Sequence, residues 1–214
     1  MVATCGVGYD NLPLGYLKEQ GIKASNTPGV LNDAVCELAI GMMFALLRQL
    51  PEAQDYVKTT AWSKAPFRLT TTLAGKRVGI VGMGRIGQDL AQRLEPFKVD
   101  IAYSGPNKKS LPYTYYPDVL DLAKVCDVLF LACPATPDTK QMINARVLEA
   151  LGPSGYLINI ARGSVVDEPA LLYALQHKKI AGAALDVFEN EPNPSAAFLS
   201  LDNVLLTPHI GSAT

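Results

Sequence analysis

Val78-Gly79-Ile80-Val81-Gly82-Met83-Gly84-Arg85-Ile86-Gly87-Gln88-Asp89-Leu90-Ala91 is the stretch on which the fold turns. A short apolar run ends at Gly82, and from Arg85 the side chains of Ile86, Leu90, Ala91 and Leu94 recur at helical spacing. The pattern predicts a strand over 78–81, a tight turn, and a helix over 85–94. The turn reads GxGxxG. Gly82 permits the turn, Gly84 lets a backbone approach a pyrophosphate, and Gly87 allows the helix to pack closely on the strand, with the phosphates on the helix N-terminus. Such a motif alone is weak, but between a strand and a helix it predicts a dinucleotide site against the bland reading of a tight turn.

Working outward, the same alternation recurs. Apolar runs at 99–103, 128–132, 156–160, 180–185 and 204–206 read as strands, with a further helix over 167–176. Strands separated by helical segments predict an α/β fold, a doubly wound parallel sheet covered on both faces. Upstream, Asn26-Thr27-Pro28-Gly29 is a turn cluster and 33–50 reads as one long helix, apolar on most sides, with Pro51 kinking it or starting the next. A helix that apolar is expected to be buried between domains or subunits. Residues 62–73 have no period and read as an extended arm. Residues 1–25 form a strand, helix and strand (2–4, 12–20, 22–24) whose sheet partners are expected to lie outside this chain.

Composition agrees with a packed protein. Of 214 residues, 49% are hydrophobic and 18% charged, below the usual figure of about 25%, which disfavours disorder. Lys and Arg nearly balance Asp and Glu, for a net charge of −1, so a nucleic-acid surface has little support. The longest apolar stretch, 38–47, is far short of the roughly 20 residues of a membrane span, and no secretory signal opens the chain. Four cysteines (Cys5, Cys36, Cys126, Cys133) without CxxC or metal-ligand spacing predict no metal site and a reducing, cytoplasmic compartment.

Chemistry is expected where strands end, because open parallel sheets bind ligands at their carboxyl edge. About 20 residues past the glycine turn, an acid would bind the ribose 2′-hydroxyl of NAD; here that position is Ser104, and Lys108 and Lys109 follow. Loss of the acid and gain of two ammonium groups favour NADP(H), with NAD(H) the alternative, although two lysines also suit a solvated turn. Arg162, in Asn159-Ile160-Ala161-Arg162-Gly163, follows a strand and has the fork geometry to clamp a substrate carboxylate. Alone, such an arginine is more commonly a surface ion-pair partner. Asp186, Glu191 and His209 sit past later strands, however, and His209 with a carboxylate partner such as Glu191 is the expected proton donor. His177, at a helix C-terminus, suits the helix dipole and is not expected to be catalytic.

These residues resemble the D-isomer-specific 2-hydroxyacid dehydrogenases, and within them the glyoxylate and hydroxypyruvate reductases. The resemblance covers essentially the whole chain, through Val7-Gly8-Tyr9-Asp10, Asn26 to Val30, Gly82 to Gly87, Cys133 to Pro137, Asn159 to Gly163, Leu185 to Phe188, Glu191-Pro192 and Pro208 to Gly211. It implies a Rossmann dinucleotide-binding domain beside a flavodoxin-like substrate domain. Arg162 would orient a 2-oxo acid, His209 would protonate its carbonyl oxygen as hydride arrives, and Glu191 would hold His209 in its acidic form. The backbone of Val7 and Gly8 would bind the substrate carboxylate. Asp186 would contact the nicotinamide carboxamide, Arg85 and Ile86 the pyrophosphate, and Cys133, Pro134 and Thr139 the adenosine side, with Ile160, Ala161 and Gly211 completing the cofactor set. Asp10 is expected to be a turn or cap residue and Cys133 a packing residue. Pro106 stands where NADP-preferring relatives often carry arginine.

In such relatives the long helix and the arm build a homodimer. The expected division is a remnant of the substrate domain at 1–25, the Rossmann domain with its dimerisation helix at 26–207, and the start of a return segment at 208–214. The chain is thus expected to be truncated at both ends. The competing functional classes are a corepressor-like dinucleotide-sensing module of the same fold and a fragment that binds the dinucleotide without turnover.

Overall fold

A computed structural model describes residues 1–214. Seven strands form one wholly parallel sheet: β3 (Arg77–Val81), β4 (Asp100–Ser104), β5 (Thr114–Tyr116), β6 (Val128–Leu131), β7 (Tyr156–Asn159), β8 (Gly182–Leu185) and β9 (Val204–Leu206). Their spatial order is β5-β4-β3-β6-β7-β8-β9, so the direction of winding reverses between β3 and β6. A doubly wound sheet opens its ligand crevice at such a reversal.

The strands are continuous apolar runs because both faces are covered. On one face lie α2 (Asn32–Arg48) and α4 (Arg85–Leu94), packing Met43, Leu47, Leu90 and Leu94 against Ile80 and Phe130. The other carries α5 (Val119–Ala123), α6 (Ala145–Leu151) and α7 (Glu168–Gln176), which bury Leu122, Leu148 and Leu171 with Leu129 and Leu157. Each fully buried leucine contributes about 1.5–3 kcal/mol of burial energy, so these two layers hold the sheet.

The long apolar helix ends at Arg48, because Gln49 takes a left-handed conformation (φ 50°) and α3 (Leu50–Lys58) starts afresh with Pro51 in its first turn. Pro51 therefore begins a helix. Neither α2 nor α3 alone is long and apolar enough to cross a membrane. Beyond a short 3-10 turn at Ala61–Ser63, the arm carries no helix or strand. The expectation for residues 1–25 is corrected in one respect: β1 (Val2–Ala3) and β2 (Ala24–Ser25) flank α1 (Leu14–Glu19) and pair with each other in parallel, so each finds a partner within the chain.

Three elements lie outside the sequence reading. The three-residue edge strand β5 is only half-buried, and α5 is too short to display a period. Helix α6 did carry a signal: Asn144 caps it by accepting from the Arg146 and Val147 amides, ahead of Val147, Leu148 and Leu151.

At the sheet edge opposite the crevice, Asp127 accepts from the Arg77 amide (2.8 Å) and the Lys76 ammonium (2.9 Å). Burial alone would raise its carboxyl, but those two donors together outweigh burial and hold it below the ordinary carboxylate range. A lowered folded-state value stabilises the fold above the unfolded pKa of about 3.9 and is lost as pH falls through the folded value. We expect Asp127→Asn to cost about 1 kcal/mol at pH 7, given the pair's partial exposure, or about 2–4 °C in Tm. The deficit relative to the parent should shrink as pH falls from the unfolded value through the lowered folded value in a pH series of thermal melts.

Candidate active site at the carboxyl edge of the sheet

The strand-turn-helix that opens the sequence builds the first half of the crevice. Gly82 has φ +97°, and a Cβ there would lie 2.6 Å from the Cys133 backbone, while one on Gly87 would lie 2.1 Å from the Gly82 carbonyl. Only glycine permits both approaches. Gly84 differs: a Cβ there meets nothing within 4 Å, and the Arg85, Ile86 and Gly87 amides beyond it have no acceptor in the chain. An open space above the unpaired N-terminal amides of a ten-residue helix fits a dinucleotide pyrophosphate. The groove, about 380 Å³, is lined by Gly84, Arg85 and Ile86 on one side and Cys133, Pro134, Ala135 and Thr136 on the other. Burial pushes the Cys133 thiol up to about 11, so it stays protonated and packs, as expected.

Past β7, Asn159 is buried and works on the backbone of the following turn. Its Oδ1 accepts from the Ala161 amide (3.0 Å) and its Nδ2 donates to the Arg162 carbonyl (3.1 Å), which presents Arg162 to the crevice. Past β8, Asp186 is 2% exposed and holds the segment carrying His209. Its Oδ1 accepts from the Thr207 hydroxyl (2.6 Å) and the Ile210 amide (2.9 Å), and its Oδ2 from the Gly211 amide (2.9 Å). Oδ2 retains acceptor capacity, as a nicotinamide carboxamide requires. His209, itself at φ +53°, places Nδ1 2.7 Å from Glu191 Oε2, and Glu191 Oε1 accepts from the Phe188 amide (2.9 Å). A carboxylate facing Nδ1 requires the proton there. The Glu191 loop is tied to α7, since the Glu189 amide donates to Glu168 Oε1 (2.6 Å); burial raises the Glu168 carboxyl.

Arg162, Asp186, Glu191 and His209 converge on a cavity of about 570 Å³, with Val7, Gly8, Ile160 and Gly211 also on its wall. This cavity and the pyrophosphate groove share Val7, Gly8, Asp10, Ile86, Ile160 and Arg162, so they form one cleft. Asp10 lies in a turn, closed by the Leu12 amide donating to the Tyr9 carbonyl (3.0 Å), and it does more than turn. Both its oxygens accept from Arg162 Nε at 3.1 Å. Nothing along the chain signals that pairing across 152 positions, or the Thr207–Asp186 contact, because each depends on distant segments meeting in space.

Other expected cofactor residues stand apart from the two cavities. Ser104 is buried at the end of β4. Lys108 and Lys109 are exposed on a loop folded over that end by Tyr103, whose hydroxyl oxygen accepts from the Lys109 amide (2.7 Å). The Thr139 hydroxyl donates to the Pro134 carbonyl (2.7 Å) and thereby shapes the groove wall. His177 caps α7 and stacks on Tyr173, with ring centroids 4.0 Å apart.

The family model described as D-isomer specific 2-hydroxyacid dehydrogenase, NAD binding domain, matches residues 40–211, and the chain belongs to that family. It is 48% identical to hydroxyphenylpyruvate reductase of Plectranthus scutellarioides and 47% identical to glyoxylate/hydroxypyruvate reductase A HPR2 of Arabidopsis thaliana. Each match covers 100% of this chain and 69% of the relative. The solved structure of an NADPH-dependent glyoxylate/hydroxypyruvate reductase from Sinorhizobium meliloti, in complex with NADP and malonate, superposes with a TM-score of 0.95 at 46% identity. That match covers 100% of this chain and 68% of the other.

The two glycines separate fold from binding. We expect Gly84→Ala to keep the parent Tm within about 2 °C, since its Cβ meets only open space, yet to weaken NADPH by about tenfold or more, the equivalent of about 1.4 kcal/mol. Gly82→Ala should lose both stability and binding, because its Cβ meets backbone. Thermal melts and NADPH fluorescence titrations of the two variants check this.

Proposed function

We propose that this chain reduces a small 2-oxo acid of the glyoxylate or hydroxypyruvate type, with NADP(H) as the favoured dinucleotide and NAD(H) as the alternative. One observation carries the reading: the His209–Glu191 pair and Arg162 share a cavity that runs directly into the glycine-turn groove. The dinucleotide, when bound, supplies the hydride. The chain supplies the rest. The free amides of Val7 and Gly8 and the Arg162 guanidinium bind the substrate carboxylate and orient the carbonyl. His209 donates a proton to the carbonyl oxygen, and takes it back in the oxidative direction, while Glu191 fixes the ring through Nδ1. Arg162 also counters negative charge developing on that oxygen. Asp186 offers its remaining acceptor site to the carboxamide.

The names of the relatives support this class of reaction and leave the substrate's tail open, since one is a hydroxyphenylpyruvate reductase and another a glyoxylate/hydroxypyruvate reductase. The NADP bound in the Sinorhizobium structure supports the cofactor preference, together with Ser104 in place of an acid and the exposed Lys108 and Lys109. The separate two-stranded sheet of β1 and β2 supports assigning 1–25 to a substrate-side unit, 26–207 to the dinucleotide unit and 208–214 to the return toward the first. Exposed Leu50, Val57, Trp62 and Leu69, on α3 and the arm, support a homodimer interface there. Four free thiols suit a reducing, cytoplasmic setting.

His209→Asn should lower kcat by about 10²- to 10⁴-fold in an NADPH-oxidation assay with glyoxylate or hydroxypyruvate, leaving NADPH affinity nearly unchanged. Undiminished turnover would refute the assignment, and tighter binding of NADH than NADPH would overturn the cofactor preference. Sedimentation of the parent chain and of Trp62→Ala/Leu69→Ser should show a dimer weakened by the double change.

A further inference from the structure

We propose that Asp10 is the positioning residue of the substrate-binding arginine: its carboxylate pins one edge of the Arg162 guanidinium so that the Nη2 edge faces the substrate. The inference rests on the reading just given and assigns a role beyond it. A guanidinium has five N–H donors in a rigid fork. Nε donates to both Asp10 oxygens at 3.1 Å, Nη1 donates to the Ala161 carbonyl at 2.7 Å, and Nη2 has no acceptor in the chain. The free nitrogen lies against Gly8, where an added Cβ would stand 1.7 Å from Nη2 and 2.9 Å from Asp10 Oδ1. The Val7 and Gly8 amides are also without acceptors. Both Nη2 N–H groups and the two loop amides are therefore unused, beside a glycine whose missing side chain makes room for the nitrogen.

Asp10 is itself held. The Thr27 amide donates to the Gly6 carbonyl (3.0 Å) and the Asn26 side chain to the Val7 carbonyl (2.9 Å), so the turn cluster after β2 braces the loop that carries Asp10. An arginine side chain left with one anchor samples many rotamers, whereas anchors on Nε and Nη1 fix the plane of the fork. The pair is 30% and 39% exposed, which makes it a weak contributor to stability. Its effect falls on geometry, where displacement of a substrate-orienting group by about 1 Å costs about 10²-fold in rate. Since Asp10 occupies Nε and leaves Nη2 free, a substrate carboxylate has no need to displace it.

The test compares Asp10→Ala, Asp10→Asn, Arg162→Ala and Asp10→Ala/Arg162→Ala in this chain. Steady-state NADPH oxidation is measured with glyoxylate. Calorimetric binding of oxalate, a planar unreactive analogue, is measured on the NADP⁺-loaded protein. Asp10→Ala should lower kcat/KM by about 30- to 100-fold with NADPH affinity within about twofold of the parent. Asp10→Asn, which keeps an acceptor for Nε, should recover most of the loss, a rescue that a merely structural role would not give. Oxalate should weaken about tenfold or more in each single variant and no further in the double, the non-additivity of two residues acting as one. The proposal is overturned by an Asp10→Ala kcat/KM within about twofold of the parent, by an Asn variant no better than Ala, by additive losses in the double, or by tighter oxalate in Asp10→Ala, which would make Asp10 a competitor for Arg162. A parent that binds NADP⁺ and oxalate without turnover counts against the hydride-transfer reading alone, because the oxalate cycle still measures the work of Asp10.

Discussion

A parallel sheet sends the carboxyl end of every strand to the same edge, and that constraint organises this molecule. β3, β7, β8 and β9 each deliver a chemically distinct group there: the glycine turn, Arg162, Asp186 with Glu191, and His209. The residues lie up to 127 positions apart between Gly82 and His209, and no local interaction brings them together. What does so is burial of the strands between two helical layers, which fixes strand order and register and hence where each loop emerges. The reversal between β3 and β6 then parts the loops to either side and leaves a cleft instead of a packed edge.

Within that cleft the carboxylates divide the work of holding others. Asp186 spends three acceptor contacts on the segment 207–211, which keeps His209 at a positive φ that its own residue type does not favour. Glu191 faces the imidazole, and Glu168 holds the loop from which Glu191 projects. Asp10 holds Arg162 from the opposite wall. The two groups that meet substrate in the proposed reaction, one cation and one imidazole, are thus each oriented by acids that stay out of the reaction. Preorganisation of this kind costs nothing at the moment of reaction, which is why it is effective in catalysis.

The N-terminal unit matters out of proportion to its size. Its two short strands are exposed and pair only with each other, yet its first loop contributes the unpaired Val7 and Gly8 amides and the Asp10 carboxylate to the wall opposite the sheet. Membership of the 2-hydroxyacid dehydrogenase family and the glycine-turn groove point to an enzyme rather than a sensing module, and the cleft has the donors that a carboxylate substrate needs on both walls.

Features that local chemistry dictates could be read along the chain. The GxGxxG turn, the apolar strands and the helix period were legible because each depends on residues a few positions apart, and the family motifs located Arg162, Glu191 and His209 by their order along the chain. It misjudged the long helix only where a single residue, Gln49, turns left-handed, and it passed over β5 and α5 because three or five residues carry too little pattern. Tertiary structure alone decided the partners: Asp10 on Arg162, Asp186 beneath the His209 segment, Asn26 bracing Val7, and β1 beside β2. Hydrogen bonds are made over about 3 Å, and which distant groups come within that range is set by how the whole chain packs, a property that no window of sequence contains.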